Sequence, residues 1–410
     1  MASIFNIEDI GPTPFRSPPL PLAHLEWLPA EIRCLILTHI DDLEDLKALV
    51  FASPAYHQQY LLDRGQYLSQ KLKTTLGSTL VDAYALQRCI TNRLTTATAI
   101  RAFYPSYVDL RALAKDSRFH LEDHTTEQDC IDMAGLYLAW MRSVPEMFAN
   151  LFLQNLMPSG GPINLSSTER ARLLRASYRF QLYAVLFGAT PLPDAPTVPH
   201  EKPRASEFWL SDRETMKDFL RIFPPWEIEE IHSLLVCMRH KIGTVLDAVR
   251  PDFHRDHPRF AGHTDMGTPP GAWDLGSYYT REYFLHGLPS RGLQVFHQIV
   301  NAETHAKLIG LLDTNFASSY AFFEEALDGS FVLYHTHEES DVRSIEFVGD
   351  KEAGPPLAWV MVTKGKFYEE ACGPGVPVKL KECGCVFWDS GRLTDTKANE
   401  MVEQEAEDWY

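Results

Sequence analysis

The chain has few cysteines, a shortage of basic residues and no long apolar run. Its 7 cysteines are scattered and odd in number, which favours reduced thiols over a disulfide framework. With 38 Lys and Arg against 55 Asp and Glu, the net charge is −17, and this balance argues against nucleic-acid or anionic-membrane partners, because phosphate groups require clustered cations. No stretch reaches the roughly 18 apolar residues of a membrane helix. We expect a soluble protein of the cytoplasm or nucleus.

The sequence also lacks the short motifs that mark common catalytic and cofactor sites. It contains no Gly-x-Ser-x-Gly elbow, no phosphate-binding Gly-x-x-x-x-Gly-Lys-Ser/Thr loop and no Gly-x-Gly-x-x-Gly fingerprint. Repeats of the leucine-rich, WD or kelch kinds are absent as well. We therefore predict no catalytic residue and no cofactor.

Histidine and carboxylate residues form the densest polar clusters. None of them has the helical spacing of a His-Glu-x-x-His zinc site, and a solvated loop explains them as well as a metal does. We predict no metal, although binding at the first cluster stays open, and with it an enzyme hypothesis that metal analysis would test. The first cluster is Asp252, His254, Asp256, His257, His263 and Asp265, and the second is His335, His337 and Glu338.

Proline and helical patterns divide the chain. The proline content of residues 1–24 predicts a disordered lead-in. Capping boxes that precede apolar helical patterns predict a mainly helical region over 66–393. Cys383 and Cys385 lack the two-residue spacer of redox or zinc pairs, so free thiols are the better interpretation. Residues 394–410 predict a solvated acidic tail. Short strands are predicted near the C-terminus at 331–334, 344–348 and 357–362.

The strongest helical pattern lies between residues 28 and 62. Pro29 suits a helix start, because its fixed φ is helical and its missing N–H would be unpaired there. A second helix is predicted at 43–52 after an aspartate cap, and a third begins at Ser53-Pro54. Apolar residues cover roughly 200° of the first helix, about twice the stripe of an ordinary surface helix. One buried face cannot account for that width, so part of it is expected to contact a partner, unless all these leucines belong to an ordinary helical core.

This segment resembles the F-box, the helical module that binds the adaptor subunit of cullin-RING (SCF) ubiquitin ligases. The resemblance rests on Leu-Pro-x-Glu-Ile at 28–32 and on the apolar residues that follow it up to Leu49-Val50. Its continuation into Ala52-Ser53-Pro54-Ala55-Tyr56 is similar to the F-box of a large group of filamentous-fungal proteins. Further stretches at 179–183, 223–227 and 385–389 look like recurring parts of the same group.

The resemblance implies a mainly α protein with a three-helix F-box at 25–65, followed by an irregular helical domain with a few short strands. It implies a non-catalytic substrate receptor that docks on the adaptor, and through it on a cullin, and positions an unidentified target protein for ubiquitylation. A structural protein that binds the adaptor outside any ligase is the alternative. The predicted docking residues are Leu28, Pro29, Ile32, Ile36, Leu37, Ile40, Leu43, Leu46, Leu49 and Val50.

Overall fold

The computed structural model describes residues 25–94, 96–157, 163–188, 209–263, 267–316, 323, 345–363 and 376–408. This part of the chain is mainly helical and contains no strand, so the mainly α class is confirmed. The chain divides into two compact units. The first comprises Met1–Asn92 and Ser106–Arg142, and the second comprises Arg93–Pro105 and Ser143–Tyr410.

The first unit is built around helix α4. Helices α1, α2 and α3 pack against one another and against α4, which packs along its other side on α7. Leu68 and Leu72 of α4 are completely buried, so the compact unit continues past the predicted module boundary at residue 65. The helices are α1 (Ala30–His39), α2 (Leu43–Ala52), α3 (Pro54–Leu62), α4 (Arg64–Leu76), α5 (Leu80–Asn92), α6 (Ala97–Lys115) and α7 (Glu127–Ala139).

Helix α6 contributes residues to both units. The division follows Pro105, whose missing N–H interrupts the helical hydrogen bonds. Beyond this proline, Tyr107 donates a hydrogen bond to the buried Asp82 of α5 at 2.5 Å, and Arg111 pairs with the same carboxylate at 3.2 Å. These contacts attach the C-terminal half of α6 to the first unit.

The second unit is organised around helices α9 and α11, which pack against each other. Ser166 and Glu169 form the capping box predicted before α9, and α11 begins at Pro225. The helices of this unit are α8 (Val144–Leu156), α9 (Ser167–Phe187), α10 (Trp209–Leu220), α11 (Pro225–Phe253), α12 (Tyr278–Ser290), α13 (Leu293–Val300), α14 (His305–Asn315), α15 (Leu357–Thr363), α16 (Val378–Glu382), α17 (Ser390–Asp395) and α18 (Ala398–Asp408).

Ion pairs are buried between α9 and α11. Arg175 of α9 donates two hydrogen bonds to Glu230 of α11, at 2.6 Å and 3.2 Å, and Arg179 donates one to Glu227 at 2.6 Å. Removal from water raises the pKa of Glu230, an effect that the neighbouring Arg175 opposes. The contact between these two helices therefore combines apolar packing with paired charges.

The strand predictions are not confirmed. Residues 357–362 form helix α15 instead, because Pro356 precedes it and accepts its first hydrogen bond from Val360 at 3.1 Å. Burial of Trp359 among other elements outweighs the weak strand preference of the valines. Residues 345–348 are irregular, whereas 331–334 and Ser344 lie outside the described residues.

The C-terminal residues also differ from the expected solvated tail. Ala398, Val402 and Ala406 recur at helical spacing and are buried, so α18 packs one face against α15 and α17. Glu405 of α18 accepts a hydrogen bond from Lys379 at 2.6 Å. The acidic residues of this segment lie on the exposed face of a packed helix. A count of charges does not show that the opposite face is buried.

Candidate docking surface

The sequence determines the ends of α2 and α3 locally. Asp42 accepts hydrogen bonds from the backbone N–H groups of Glu44 and Asp45, both at 2.8 Å, and Ser53 accepts one from Tyr56 at 3.4 Å. Asp and Ser are favoured at these positions because their oxygens pair with the first, otherwise unpaired N–H groups of a helix. Both caps agree with the sequence prediction, and they mark where α2 and α3 begin.

The ten predicted docking residues fall into three groups by burial. Four of them are completely or almost completely buried within the first unit and form its core, so they are not available to a partner. The sequence leads us to expect some of the ten in the internal core without showing which, and the structure divides them where α3 and α4 pack against α1 and α2. The buried residues are Leu37, Leu43, Leu46 and Val50, the half-buried ones are Leu28, Ile36, Ile40 and Leu49, and the exposed ones are Pro29 and Ile32.

Six exposed apolar residues were absent from the predicted set. Trp27 is 77% exposed and Leu62 is 73% exposed. Leu35 belongs to the wide apolar face that the sequence predicts for α1, but it is not one of the residues of the F-box motif. The six residues are Leu25, Trp27, Leu35, Phe51, Leu61 and Leu62.

We define the docking surface as Pro29 together with the exposed and half-buried Leu, Ile, Phe and Trp residues of segment 25–62. It comprises Leu25, Trp27, Leu28, Pro29, Ile32, Leu35, Ile36, Ile40, Leu49, Phe51, Leu61 and Leu62. Its members come from the turn before α1 and from all three of the first helices.

A buried lysine supports this surface from beneath. Lys71 of α4 reaches the end of α1 and donates a hydrogen bond to the carbonyl of Thr38 at 2.5 Å. Burial lowers the pKa of Lys71. On the next turn, Thr74 donates to the carbonyl of Asp41 at 3.2 Å. The exposed carbonyls at the C-terminus of a helix need such partners, so α4 holds α1 in place through its end as well as its side.

The histidine cluster of the second unit does not assemble as a metal site within the described residues, where no group of three His, Cys, Asp or Glu side chains is arranged to hold a metal ion. Asp252 instead contacts His305 of α14 at 3.0 Å, and His257 lies 4.0 Å from the same oxygen. His257 also accepts the backbone N–H of Arg259 through Nδ1, which leaves the proton of a neutral ring on Nε2. That nitrogen faces the Asp252 carboxylate at 4.0 Å, which is longer than a hydrogen bond.

The remaining candidates contribute little to a chemical site. His254 pairs with Asp256 at 3.4 Å in an exposed loop. Among the described residues, His263 forms no such pair. Cys383 and Cys385 are buried thiols, and burial raises the pKa of Cys383 to about 11, which keeps it protonated and unreactive at neutral pH. The residues outside the described part are Asp265, His335, His337 and Glu338.

Comparison with known proteins finds no family model, no curated protein and no solved structure that matches the chain. In the part of the chain that the structure describes, no helix combines the length and the apolar character of a membrane span. The inferences below therefore rest on the residues and their geometry, together with the sequence resemblance.

Proposed function

We propose that the protein is a substrate receptor of a cullin-RING (SCF) ubiquitin ligase and that its docking surface binds the adaptor subunit. The observation that carries this proposal is the exposure of apolar side chains on the three helices that resemble an F-box. The core of the first unit is already filled by Leu37, Leu43, Leu46 and Val50. The exposed residues therefore do not serve internal packing, and a partner surface gives them a role.

The size of the docking surface suits a stable complex. Each aliphatic side chain that becomes fully buried contributes roughly 1.5 to 3 kcal/mol, and association costs about 4 to 15 kcal/mol. Burial of the exposed leucines, Ile32, Phe51 and Trp27 would offset that cost. One tryptophan in the set also fits the usual pattern, in which a few large side chains supply most of the binding energy.

In this proposal the chain performs no bond chemistry itself. The adaptor would link it to a cullin, and the remainder of the chain would hold a target protein near the ubiquitin-charged enzyme. Holding two reactants together raises their effective concentration and is sufficient to accelerate transfer to target lysines. The buried, protonated thiols of Cys383 and Cys385 are consistent with a non-catalytic subunit.

The test is co-expression of the full chain with the fungal adaptor subunit, followed by size-exclusion chromatography. A truncation of residues 1–65 is a poor control, because it would remove the partners of Lys71 and Thr74 and uncover α4. We would instead compare the double variant Ile32→Asp/Leu35→Asp with Ile90→Asp, which places a charge at an exposed apolar position of α5. Co-elution should persist with Ile90→Asp and disappear with the double variant.

The same experiment distinguishes the ligase receptor from an interaction protein outside any ligase. Recovery of the adaptor together with a cullin, and of ubiquitylated client proteins, is expected for a receptor. Recovery of the adaptor alone would favour the other class. Failure of the folded wild-type chain to bind the adaptor would contradict the proposal.

A further inference from the structure

A buried glutamate on α11 lacks the hydrogen bonds that the next residue along the helix has. Glu229 is 1% exposed, and neither of its carboxylate oxygens has a hydrogen bond of regular geometry. Glu230, in contrast, accepts two hydrogen bonds from Arg175, at 2.6 Å and 3.2 Å. A carboxylate that leaves water without such partners is strongly disfavoured in its charged form and takes up a proton instead. The charge of Glu229 is therefore compensated less well than that of Glu230.

The cation that faces Glu229 is Lys381 of α16. Its Nζ lies 3.4 Å from Oε2 of Glu229, and Lys381 is itself only 3% exposed. One turn further along α11, Ser233 is completely buried and its hydroxyl has no hydrogen-bond partner, so it does not donate to Glu229. Burial raises the pKa of Glu229, although Lys381 and the backbone N–H of Val376 lower it in part. The packed arrangement of α11 and α16 therefore favours the protonated acid.

Other charged groups on α11 and on the elements packed against it pair with one another. The turn at 385–387 contributes the Cys385 thiol, whose pKa is raised by burial, so it carries no charge at neutral pH. Lys381 is therefore the charged group that opposes the burial of Glu229. The other pairs are Arg170 with Glu146, Arg172 with Asp389, Arg175 with Glu230, Arg179 with Glu227, Arg239 and His286 with Glu282, His240 with Glu382, and Arg281 with Asp247.

Helix α16 is a small element with little apolar burial of its own. Its two buried residues are Leu380 and Lys381, whereas Val378 at its start is 55% exposed. The carbonyl of Pro377 accepts the backbone N–H groups of both buried residues, at 3.0 Å and 3.1 Å. Short segments with few buried apolar contacts open locally at a lower free-energy cost than the core does. The contact of Lys381 with Glu229 is thus a large part of what attaches α16 to α11.

We propose that Glu229 and Lys381 form a proton-dependent latch that holds α16 against α11. In the closed state the protonated Glu229 side chain is neutral and lies against Lys381. As pH rises and the proton leaves, the carboxylate gains more from hydration than from its single long contact, and opening of α16 gives both charged groups access to water. The latch is therefore closed at acidic pH and loosens as pH increases. It is a property of the second unit alone and does not rest on the proposed function.

Hydrogen exchange of the full chain as a function of pH, corrected for intrinsic exchange, tests the latch. The opening constant should rise by up to about tenfold per pH unit between the ordinary glutamate pKa of about 4.3 and the folded value. Glu229→Gln, which is neutral and of the same size, should exchange slowly with no such slope. Glu382→Gln is the matched control, because Glu382 is a carboxylate of the same helix that pairs with His240, and it should keep the wild-type slope. The reporting amides are those of Leu380, Lys381, Cys383 and Gly384.

Replacement of the lysine separates a latch from a merely structural contact. Lys381→Met leaves Glu229 without its cation, so the folded pKa of Glu229 should rise further and the slope should extend to higher pH. The double variant Glu229→Gln/Lys381→Met removes both charges and should restore slow exchange without a slope. A structural contact alone would accelerate exchange equally at every pH in each single variant. Exchange in wild type that does not depend on pH, or a slope that persists in Glu229→Gln, would overturn the proposal.

Discussion

Exposed large apolar side chains are concentrated in the first unit, and most of the buried ion pairs belong to the second. In the first unit, seven large apolar side chains within residues 25–62 are exposed among the described residues. In the second, charged side chains of α9 and α11 are buried as pairs, Arg175 with Glu230 and Arg179 with Glu227. Exposed apolar surface gains free energy only when a partner covers it. Buried ion pairs, in contrast, find their partners within the fold.

The difference indicates which unit pairs its polar groups internally and which unit leaves apolar surface for a partner. The second unit joins distant parts of the chain through polar contacts, as when Arg172 of α9 donates to the carbonyls of Lys351 and Phe387. Buried pairs contribute little net stability compared with apolar packing, but they strongly disfavour any arrangement that separates them. The first unit has a filled core and a surface that exposes large apolar side chains to solvent. This contrast leads us to assign docking to the first unit.

The largest expected effect comes from breaking a buried pair of the second unit. Arg175→Met removes the cation that pairs with the buried Glu230 at 2.6 Å, while Glu227 keeps Arg179, and the change should destabilise this unit by about 3 to 5 kcal/mol. Arg281→Met is the matched control, because Arg281 pairs with the exposed Asp247 at 2.6 Å and its loss should cost at most about 1 kcal/mol.

Denaturant unfolding with peptide-resolved hydrogen exchange of α9 and α11 checks this prediction for the second unit alone. Exchange in both helices should accelerate in Arg175→Met and stay near wild type in Arg281→Met. Equal effects of the two replacements would mean that burial does not distinguish the pairs, and the contrast between the units would lose its basis.

In the first unit, the contrast is between core and surface leucines. Leu46 is 1% exposed and Leu35 is 52% exposed, so truncation of each to alanine tests the division of the apolar residues. Leu46→Ala should cost about 2 to 5 kcal/mol of stability through the cavity it leaves. Leu35→Ala should change stability by less than about 0.5 kcal/mol and should weaken adaptor binding. A large stability loss in Leu35→Ala would place that leucine in the core instead.

The sequence predicted those features that depend on neighbouring residues. The caps at Asp42, Ser53 and Ser166 follow from a side-chain oxygen two or three residues before a free N–H, which is a local geometry. The mainly helical class follows from the same kind of signal repeated along the chain. Such patterns need no knowledge of distant contacts.

The division of the docking residues depended on distant contacts and was not predictable from the motif. Leu37 is buried in a unit where both α3 and α4 pack against α1, and the sequence of residues 28–50 does not predict that packing. Lys71 is an ordinary surface residue in the sequence, and only the folded unit brings it to Thr38. In the same way, the predicted strand at 357–362, which contains Val360 and Val362, is the buried helix α15 in the structure.

Glycine replacements in the two units should change stability in opposite directions. Gly384 of the second unit has φ +63°, and a Cβ there would lie 2.5 Å from Cγ of the buried Phe152. Gly384→Ala should cost about 1 to 2 kcal/mol for the left-handed backbone and about 1 to 3 more for displacement of the ring. Gly135 within α7 of the first unit has open space, so Gly135→Ala should stabilise by about 0.5 to 1 kcal/mol.

Thermal unfolding of the two glycine variants, with hydrogen exchange of α7 and of residues 384–395, is the measurement. The unit that is disturbed should be the one that carries the replacement. If Gly384→Ala were neutral, the aromatic packing around Phe152 would be looser than the structure indicates.

The smallest expected effect is a change in the pH dependence of stability. Glu229 of α11 is 1% exposed and lies 3.4 Å from Lys381 of α16. Burial raises the pKa of Glu229, although Lys381 opposes the shift. The folded state therefore holds this proton more tightly than the unfolded state does. Stability from this group is fully present below the ordinary glutamate pKa of about 4.3 and declines as pH rises through the folded value.

Glu169 provides the control with the opposite sign. Burial by itself raises its pKa, but hydrogen bonds from Arg392 and from two backbone N–H groups outweigh burial and lower it. Its stabilisation is present above the ordinary glutamate pKa and is lost as pH falls through the folded value. The unfolding free energy of Glu229→Gln minus that of wild type should therefore rise with pH above about 4.3. The unfolding free energy of wild type minus that of Glu169→Gln should fall as the pH is lowered below about 4.3. Parallel curves for wild type and Glu229→Gln would mean that the Lys381 pair keeps Glu229 at its ordinary pKa, and the second unit would then bury its charges without a proton-linked penalty.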